Sequence, residues 1–389
     1  EIRELKTQLS YSKNIGFFFG AGTSCALGIP NIEMLTKEIE TKLQEESTNN
    51  FALIKKDLET SITNRKVNIE DILNNIRRIR ELTNESEKEY EGVSGVAAKE
   101  LDREICVLIY SIILEKEKSA NFENTKRFFA WLNLLNRDYS KEVFTTNYDL
   151  IIEKSLEASY IPFFDGFVGS YEPFFWEDSI EQQIGNNDLT KNWIRLWKIH
   201  GSLSWFWKKE LKTDVQKIVR IGKIDNIKNE ENELVIYPSK EKYDYSRKQP
   251  FIVYFDRLKK YLLSGELLFV FTGYSFSDQH INDIVFNSLR QNNRLFIIVL
   301  FYKDEEVENL YKISSSYMNL NVFGPTKAII NGRIGSWEFS KEELKNESEK
   351  FDHYWDDKES KFKLGDFNAF VDFLITNSGK KENIESLIK

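Results

Sequence analysis

Ile15 to Pro30 reads IGFFFGAGTSCALGIP: an apolar strand that runs straight into a Gly-x-Gly turn, then a short segment closed by Gly28 and Pro30. Gly20 and Gly22 let a main chain approach an anionic ligand with no Cβ in the way. Thr23 and Ser24 open a helix whose free amides and dipole face the same ligand. Strand, glycine turn and helix in that order make a backbone phosphate cradle, and the cradle points to a nucleotide. The same turn also closes αβ units that bind nothing, so the rest of the chain has to decide.

The composition narrows the field. At 389 residues, with 41% hydrophobic and 14% aromatic content, the chain has enough material for a large core. No apolar run reaches the ~18 residues that a membrane-spanning helix needs, so no membrane role is expected. The net charge of −8 and a pI near 5.4 oppose the electropositive face of a general nucleic-acid binder, and direct nucleic-acid binding is not expected. Only Cys25 and Cys106 are present, which excludes a disulfide framework and a four-cysteine zinc ribbon within this sequence. With no basic and apolar leader visible at the start, a cytoplasmic setting is the expectation.

Beyond the cradle, residues 33–137 read as almost entirely helical. Asn68 and Asp71 form a capping pair ahead of the stripe Ile69, Ile72, Leu73, Ile76 and Ile79, and Ile105, Leu108, Ile109 and Ile112 make a second stripe. Both stripes are core, and residues 83–95 between them read as an exposed loop. Strand signals resume at Val143–Phe144, Ile194–Ile199, Leu234–Tyr237, Leu267–Thr272 and Leu295–Phe301. The last two are continuous apolar runs joined by a helix from Asp278 to Gln291, as expected of a βαβ unit buried on both faces. The expected fold is therefore α/β: a Rossmann-like doubly wound parallel sheet with a large inserted helical subdomain. Residues 1–325 would form the main domain, residues 33–137 its insertion, and residues 326–389 a charged C-terminal extension with a solvated helical face and no site chemistry. Residues 160–176, rich in aromatics, read as a packed loop or lid near the site, and the charged residues 208–233 as a solvated excursion.

Each remaining polar motif lies where a predicted strand ends, the place where ligands bind in open α/β sheets. Val143–Phe144 leads into Thr145-Thr146-Asn147-Tyr148-Asp149, Leu196–Ile199 into His200-Gly201-Ser202, and Leu268–Thr272 into Gly273-Tyr274-Ser275-Phe276-Ser277-Asp278. Taken singly, Asn147, Asp149, Ser275 and Asp278 are equally readable as helix caps, and His200 as a structural histidine. His280, inside a helix, and His353, in the tail, have the weaker functional case.

In combination these motifs resemble the sirtuin (SIR2) family. GAGTSCALGIP is similar to its glycine-turn signature, TTNYD to its Thr-x-Asn-x-Asp, KIHGS to its His-Gly turn, and GYSFSD to its later Gly-x-Ser turn; the likeness runs from Ile15 to Phe301. The resemblance implies that NAD is bound as substrate, and with no cysteine after Cys106 no metal is expected beside it. Gly20, Ala21, Gly22, Thr23 and Ser24 would hold the pyrophosphate, with Gly28, Ile29, Pro30 and Asn31 completing the cofactor loop. Thr146, Asn147 and Asp149 would line the nicotinamide-ribose pocket, and Gly273, Ser275 and Asp278 would contact the adenosine side. His200 would be the base, and Asn147 and His200 together the catalytic pair.

Departures from the family refine this reading. Deacylating sirtuins carry Asp-Phe-Arg after Gly-Ile-Pro, whereas Asn31, Ile32 and Glu33 stand here, and the four zinc-ligand cysteines of their small domain have no counterpart after Cys106. The chain looks more like the zinc-free bacterial SIR2-like effectors of antiphage defence. The implied activity is an NAD glycohydrolase that releases nicotinamide and ADP-ribose, depleting the cofactor in abortive infection. A homo-oligomer and a regulatory partner such as a HerA-type ATPase are implied with it. The alternatives are a zinc-free deacylase or ADP-ribosyltransferase, and a module that senses NAD or ADP-ribose without cleaving it.

Overall fold

The structure, a computed structural model, describes residues 2–63, 65–135, 139–181, 192–209, 216–222, 233–236, 250–338 and 352–388. The chain runs through α1 (Ile2–Tyr11), β1 (Ile15–Phe19), α2 (Ala21–Cys25), α3 (Ile32–Lys42), α4 (Glu45–Ser61) and α5 (Ile69–Thr83). A small hairpin of β2 (Glu89–Tyr90) and β3 (Val93–Ser94) leads into α6 (Gly95–Ser119) and α7 (Glu123–Leu134). Next come β4 (Lys141–Thr145), α8 (Ile151–Ala158), β5 (Phe163–Phe164), β6 (Phe167–Val168), β7 (Phe174–Phe175), α9 (Asp178–Glu181), β8 (Ile194–Lys198), β9 (Gly201–Lys209), β10 (Gln216–Arg220) and β11 (Glu233–Ile236). They are followed by α10 (Phe251–Leu262), β12 (Leu267–Thr272), α11 (Gln279–Gln291), β13 (Leu295–Leu300), α12 (Asp304–Ser314) and β14 (Leu320–Phe323). After these lie β15 (Lys327–Ile330), β16 (Arg333–Ser336), β17 (Trp355–Asp356), β18 (Lys361–Phe362), α13 (Phe367–Asn377) and α14 (Lys381–Leu387).

The main sheet has nine strands in the order β16-β15-β14-β13-β12-β1-β4-β8-β5. All pairings from β14 to β5 are parallel, and the pairings β14–β15 and β15–β16 are antiparallel, so that β15 runs against the other strands. Every residue of β1 is buried, and its side chains alternate between two cores. Phe17 and Phe19 enter the layer containing α1, α7, α8 and α13, while Phe18 enters the layer containing α10, α11 and α12. Helices on both faces make the sheet doubly wound, as the continuous apolar runs predict. The chain leaves β1 toward β4 and β8 on one side and returns through β12 to β14 on the other. The reversal of strand order therefore falls between β1 and β12.

The capping pair is present in full: Asn68 Oδ1 accepts from the Asp71 amide, and the Asp71 carboxylate accepts from the Asn68 amide. Below it, Asp102 of α6 is buried and receives Arg77 and Arg80 of α5. α3 to α6 share a core with Leu203, Phe206, Val219 and Leu234 of a second, antiparallel sheet ordered β11-β9-β10-β7-β6. α7 belongs elsewhere, because its Phe128 packs on Phe17 and Phe19 of the main sheet, with ring centroids 5.0 Å apart in both pairs. Residues 83–95, expected as an exposed loop, contain the β2–β3 hairpin with Val93 buried.

Three further expectations need correction. Residues 160–176 are no lid, because β5 lies at the edge of the main sheet and β6 and β7 in the second one, where hydrogen bonding and the Phe167–Trp205 ring contact hold them. Of the expected excursion at 208–233, the described residues 216–220 form β10, paired with β9 and burying Ile218 and Val219; residues 210–215 and 223–232 lie outside the described residues. The C-terminal extension is no solvated face. β15 pairs with β14, and α13 buries Phe367, Phe370, Val371 and Phe373 against the Phe19 side of the sheet. Its charge had concealed an apolar helix whose Phe367 lies 5.3 Å from Phe19, ring to ring.

Phe367→Ala should therefore lower stability by about 3–5 kcal/mol in urea unfolding, the cost of an emptied aromatic core site, rather than the ~0.5 kcal/mol or less of an exposed tail position.

Candidate functional site

A cavity of about 940 Å³ opens where the carboxyl ends of β1, β4 and β12 meet the first turn of α5, a size common to small-molecule sites. It lies at the strand-order reversal, where such sheets bind ligands.

Its floor is a contact between two backbones. The Gly22 N–H donates to the Gly273 carbonyl at 2.8 Å, and Gly20 N–H donates to Thr272 O at 3.0 Å. A Cβ on Gly20 would come within 2.5 Å of Tyr274 Cα, one on Gly22 within 2.6 Å of Gly273 Cα, and one on Gly273 within 2.8 Å of the Gly22 carbonyl carbon. Gly273 also has φ +66°, a left-handed conformation. The glycine turn thus has a structural use besides the expected one. Its missing side chains let the β1 and β12 turns touch each other, and the amides of Gly20, Gly22 and Thr23 are taken up inside the protein. Among the expected pyrophosphate residues, Ala21, Gly22 and Ser24 line the cavity, while Gly20 and Thr23 lie behind it. The Thr23 hydroxyl donates to Gly20 O at 2.9 Å. Gly28, with φ +88°, turns the chain after α2 and does not line the cavity, whereas Ile29, Pro30 and Asn31 do. The Asn31 side chain caps α3 by accepting from the Met34 amide at 2.9 Å.

The turn after β4 is tied to this floor. Asn147 Nδ2 lies 3.1 Å from Gly20 O, 3.1 Å from Thr23 Oγ1 and 2.8 Å from Ser24 Oγ. The Ser24 hydroxyl donates in turn to Asp149 Oδ2 at 2.6 Å. Asp149 Oδ1 accepts from the Ile151 amide, so this carboxylate both caps α8 and anchors the glycine loop. Lys198, fully buried, holds the same turn by donating to the Asp149 carbonyl and, at 2.8 Å, to Glu153. With its Nδ2 engaged, Asn147 has only Oδ1 to present to a ligand. Thr146 lines the cavity beside it. The Cys25 thiol also lines the cavity, but burial and the nearby Asp149 charge push its pKa up, away from a reactive thiolate.

His200 Nε2 lies 3.1 Å from Asp278 Oδ2, and both residues are largely buried. Asp278, expected on the adenosine side, lines the cavity and is bonded to the histidine. Its other oxygen caps α11 by accepting from the His280 amide at 2.8 Å. Burial lowers the His200 pKa, yet the Asp278 hydrogen bond and charge, with the charge of Glu70, carry it above 6.5. Asp278 falls from 3.8 to about 2: burial opposes ionisation, and the His200 hydrogen bond and charge overcome it. Gly273 and Ser275 line the same wall, Ser275 exposed and bonded to Ser277 at 3.1 Å.

Several lining residues went unforeseen. Glu70, in the first turn of α5, accepts the Tyr148 hydroxyl. Asp366 and Phe367 bring the C-terminal helix to the cavity wall, and Arg65, Lys66 and Lys303 add cations. The capping pair at Asn68 and Asp71 was a signal for Glu70, since it fixes where the helix begins and hence which acid stands in its first turn. Among the described residues, no three His, Cys, Asp or Glu side chains are grouped to hold a metal ion. Among the same residues, no helix is long and apolar enough to cross a membrane.

Residues 141–319 match the SIR2-like domain family. That span supplies Thr146, Asn147, Asp149, His200, Gly273, Ser275 and Asp278, whereas the glycine turn and Glu70 lie outside it. No curated protein matches the chain. Among solved structures, a Sir2 homologue–NAD complex is 15% identical, with 76% of this chain and 81% of that one covered and a TM-score of 0.37. A Sir2 homologue mutant bound to ADP ribose is also 15% identical, covering 81% and 99%, with a TM-score of 0.40. A Sir2 bound to acetylated peptide is 12% identical, covering 77% and 87%, with a TM-score of 0.34. Likeness at that level carries no argument about this chain's chemistry.

The two-backbone floor has a direct test. Gly273→Ala should cost at least about 1–3 kcal/mol in urea unfolding, combining left-handed strain with the backbone clash. Gly265→Ala, at φ +99° with nothing within 4 Å of the new Cβ, carries the strain alone and should cost measurably less.

Proposed function

We propose that the cavity binds NAD and that the protein is an NAD glycohydrolase, releasing nicotinamide and ADP-ribose. The observation that carries this reading is the buried His200–Asp278 pair at the sheet's carboxyl edge, beside Asn147, within a span matching the SIR2-like family. Nicotinamide leaves NAD as a neutral molecule from a cationic precursor, so departure needs little acid assistance. What the site must do is stabilise positive charge on the ribose and activate a water. His200, oriented through Nε2 by Asp278, is the proposed base for that water, and Asn147 Oδ1 is the proposed acceptor that positions it. Lys303 in the cavity lining has the sign needed opposite a pyrophosphate; Arg65 and Lys66 line the cavity too, paired with Asp71 and Glu33.

In this reading the cell-level role is cofactor depletion in antiphage defence. Such an activity must be restrained until triggered, and a homo-oligomer with a HerA-type ATPase partner is the proposed restraint. Residue types and turn order support this part; the test is nicotinamide release by the chain with and without the ATPase.

For the chemistry, purified protein incubated with NAD should release nicotinamide and ADP-ribose. His200→Ala should reduce the rate by roughly 100-fold or more and Asn147→Ala by a comparable factor; unchanged rates in both variants would refute the assignment. The pH profile provides an independent check. A base must be neutral to act, and Asp278 raises the pH at which His200 becomes so. Asp278→Asn keeps an N-cap acceptor but removes the charge, and should therefore move the acidic limb of kcat/KM to lower pH.

A further inference from the structure

Three acids of the cavity, Glu33, Glu70 and Asp71, come from the helical insertion and take part in neither the His200–Asp278 pair nor the ties of the glycine turn; Glu33 and Asp71 are paired with Lys66 and Arg65, whereas Glu70 meets no cation at hydrogen-bond distance among the described residues. Its backbone is fixed from three directions. The Asn68–Asp71 box sets the helix start, Arg65 clamps Asp71 through two bonds of 2.6 Å, and the neighbouring Ile69 amide donates to Thr36 Oγ1 at 2.9 Å. Glu70 Oε1 receives the hydroxyl of Tyr148, the residue next to Asn147. Among the described residues Glu70 Oε2 has no hydrogen-bonding partner, although the residue lies partly buried on the cavity wall. A carboxylate oxygen in that position is satisfied by whatever enters the cavity.

Resting on the NAD reading, we propose that Glu70 is a further catalytic group, its free oxygen accepting a ribose hydroxyl of NAD and countering the positive charge that develops on the ribose as the glycosidic bond breaks. In that step the ribose C1′–nitrogen bond breaks, and its electron pair leaves with neutral nicotinamide. The water oxygen bonds to C1′ and the water's proton passes to His200. Glu70 exchanges no proton and contributes only its charge and one accepted hydrogen bond. Burial raises the Glu70 pKa above its usual carboxylate value, and the Tyr148 hydrogen bond offsets only part of that rise. In its ionised form a carboxylate in such surroundings interacts more strongly with a nearby cation than one in water. Tyr148 is its positioning residue, fixing one oxygen so that the other faces the cavity.

The test is steady-state cleavage of NAD by the full chain, with NAD affinity measured separately by calorimetry and folding by thermal unfolding. Glu70→Gln, which keeps the shape and loses the charge, should lower kcat by roughly 100-fold while KM and Kd stay within about threefold. Glu70→Asp, with the charge restored, should recover part of the loss, and Tyr148→Phe should lower kcat by a smaller factor. A wild-type enzyme that cleaves NAD while Glu70→Gln keeps more than a third of its kcat overturns this inference alone. A wild-type protein that cleaves no NAD overturns the inference together with the function beneath it. An increase in Kd that accounts for the whole loss in kcat/KM also overturns it, because Glu70 then only binds. Should Glu70→Gln fail to fold, Glu70→Asp and Tyr148→Phe decide by the same split: lowered kcat at unchanged KM supports the assignment, and unchanged kcat overturns it.

Discussion

The arrangement depends on one close approach, that of the turn after β1 to the turn after β12. Three residues without side chains, Gly20, Gly22 and Gly273, allow two peptide planes to meet through the Gly22–Gly273 hydrogen bond. Once they meet, α2 has a fixed position, and Ser24 and Thr23 stand where Asn147 can bond to both. Asp149 then closes the loop through Ser24, and the β12 turn carries Asp278 to His200. The parallel sheet brings these strand ends together, but the glycine contact sets their spacing to the fraction of an ångström that hydrogen bonds require.

Two polar networks share the resulting rim, with different duties. The Asn147–Ser24–Asp149 chain is mostly internal: Asn147 and Ser24 spend their side-chain donors, and Asp149 its acceptor oxygens, on other parts of the protein, which is how a loop without regular structure is kept still. The His200–Asp278 and Glu70–Tyr148 pairs each tie one polar atom and hold a second group toward the cavity or its neighbours. In the His200–Asp278 pair burial opposes both charges, and the mutual hydrogen bond and attraction overcome it, which leaves Asp278 depressed and His200 elevated. Rigidity and chemistry thus come from different members of one set of loops.

How much of this was legible in the sequence depended on the range of the interactions. β12 coincides with the apolar run Leu267–Thr272, and β13 stops one residue short of the run Leu295–Phe301, because a strand buried on both faces leaves little else for such a run to be. The Asn68–Asp71 box was readable because both its halves are local. Asp278 was recognisable as a cap, but its hold on His200 spans 78 residues and leaves no local trace. Glu70 went unread, because an acid in the first turn of a helix is accounted for by the helix dipole and needs no partner. Of the second sheet, β11 falls on the strand expected at Leu234–Tyr237, of which Tyr237 lies outside the described residues, whereas β6, β7 and β10 were hidden in residues 160–176 and 208–233, because short antiparallel strands depend on partners distant in sequence. In the C-terminal segment, flanking charges masked the apolar face of α13. Family-like motifs therefore marked the strand ends, whereas tertiary pairing determined what stands opposite them.

α13 has a consequence for how the protein comes into being. Phe19 belongs to the first strand of the sheet and Phe367 to one of the last helices, yet their rings touch, and Asp366 and Phe367 form part of the cavity wall. A nascent chain that has made β1, β4, β8 and β12 still lacks that wall until residues 366–377 have left the ribosome. The motifs at the strand ends are thus all translated well before the cavity they line can close. Synthesis itself keeps the site open to water, and so immature, until nearly the whole of the chain described here has been made.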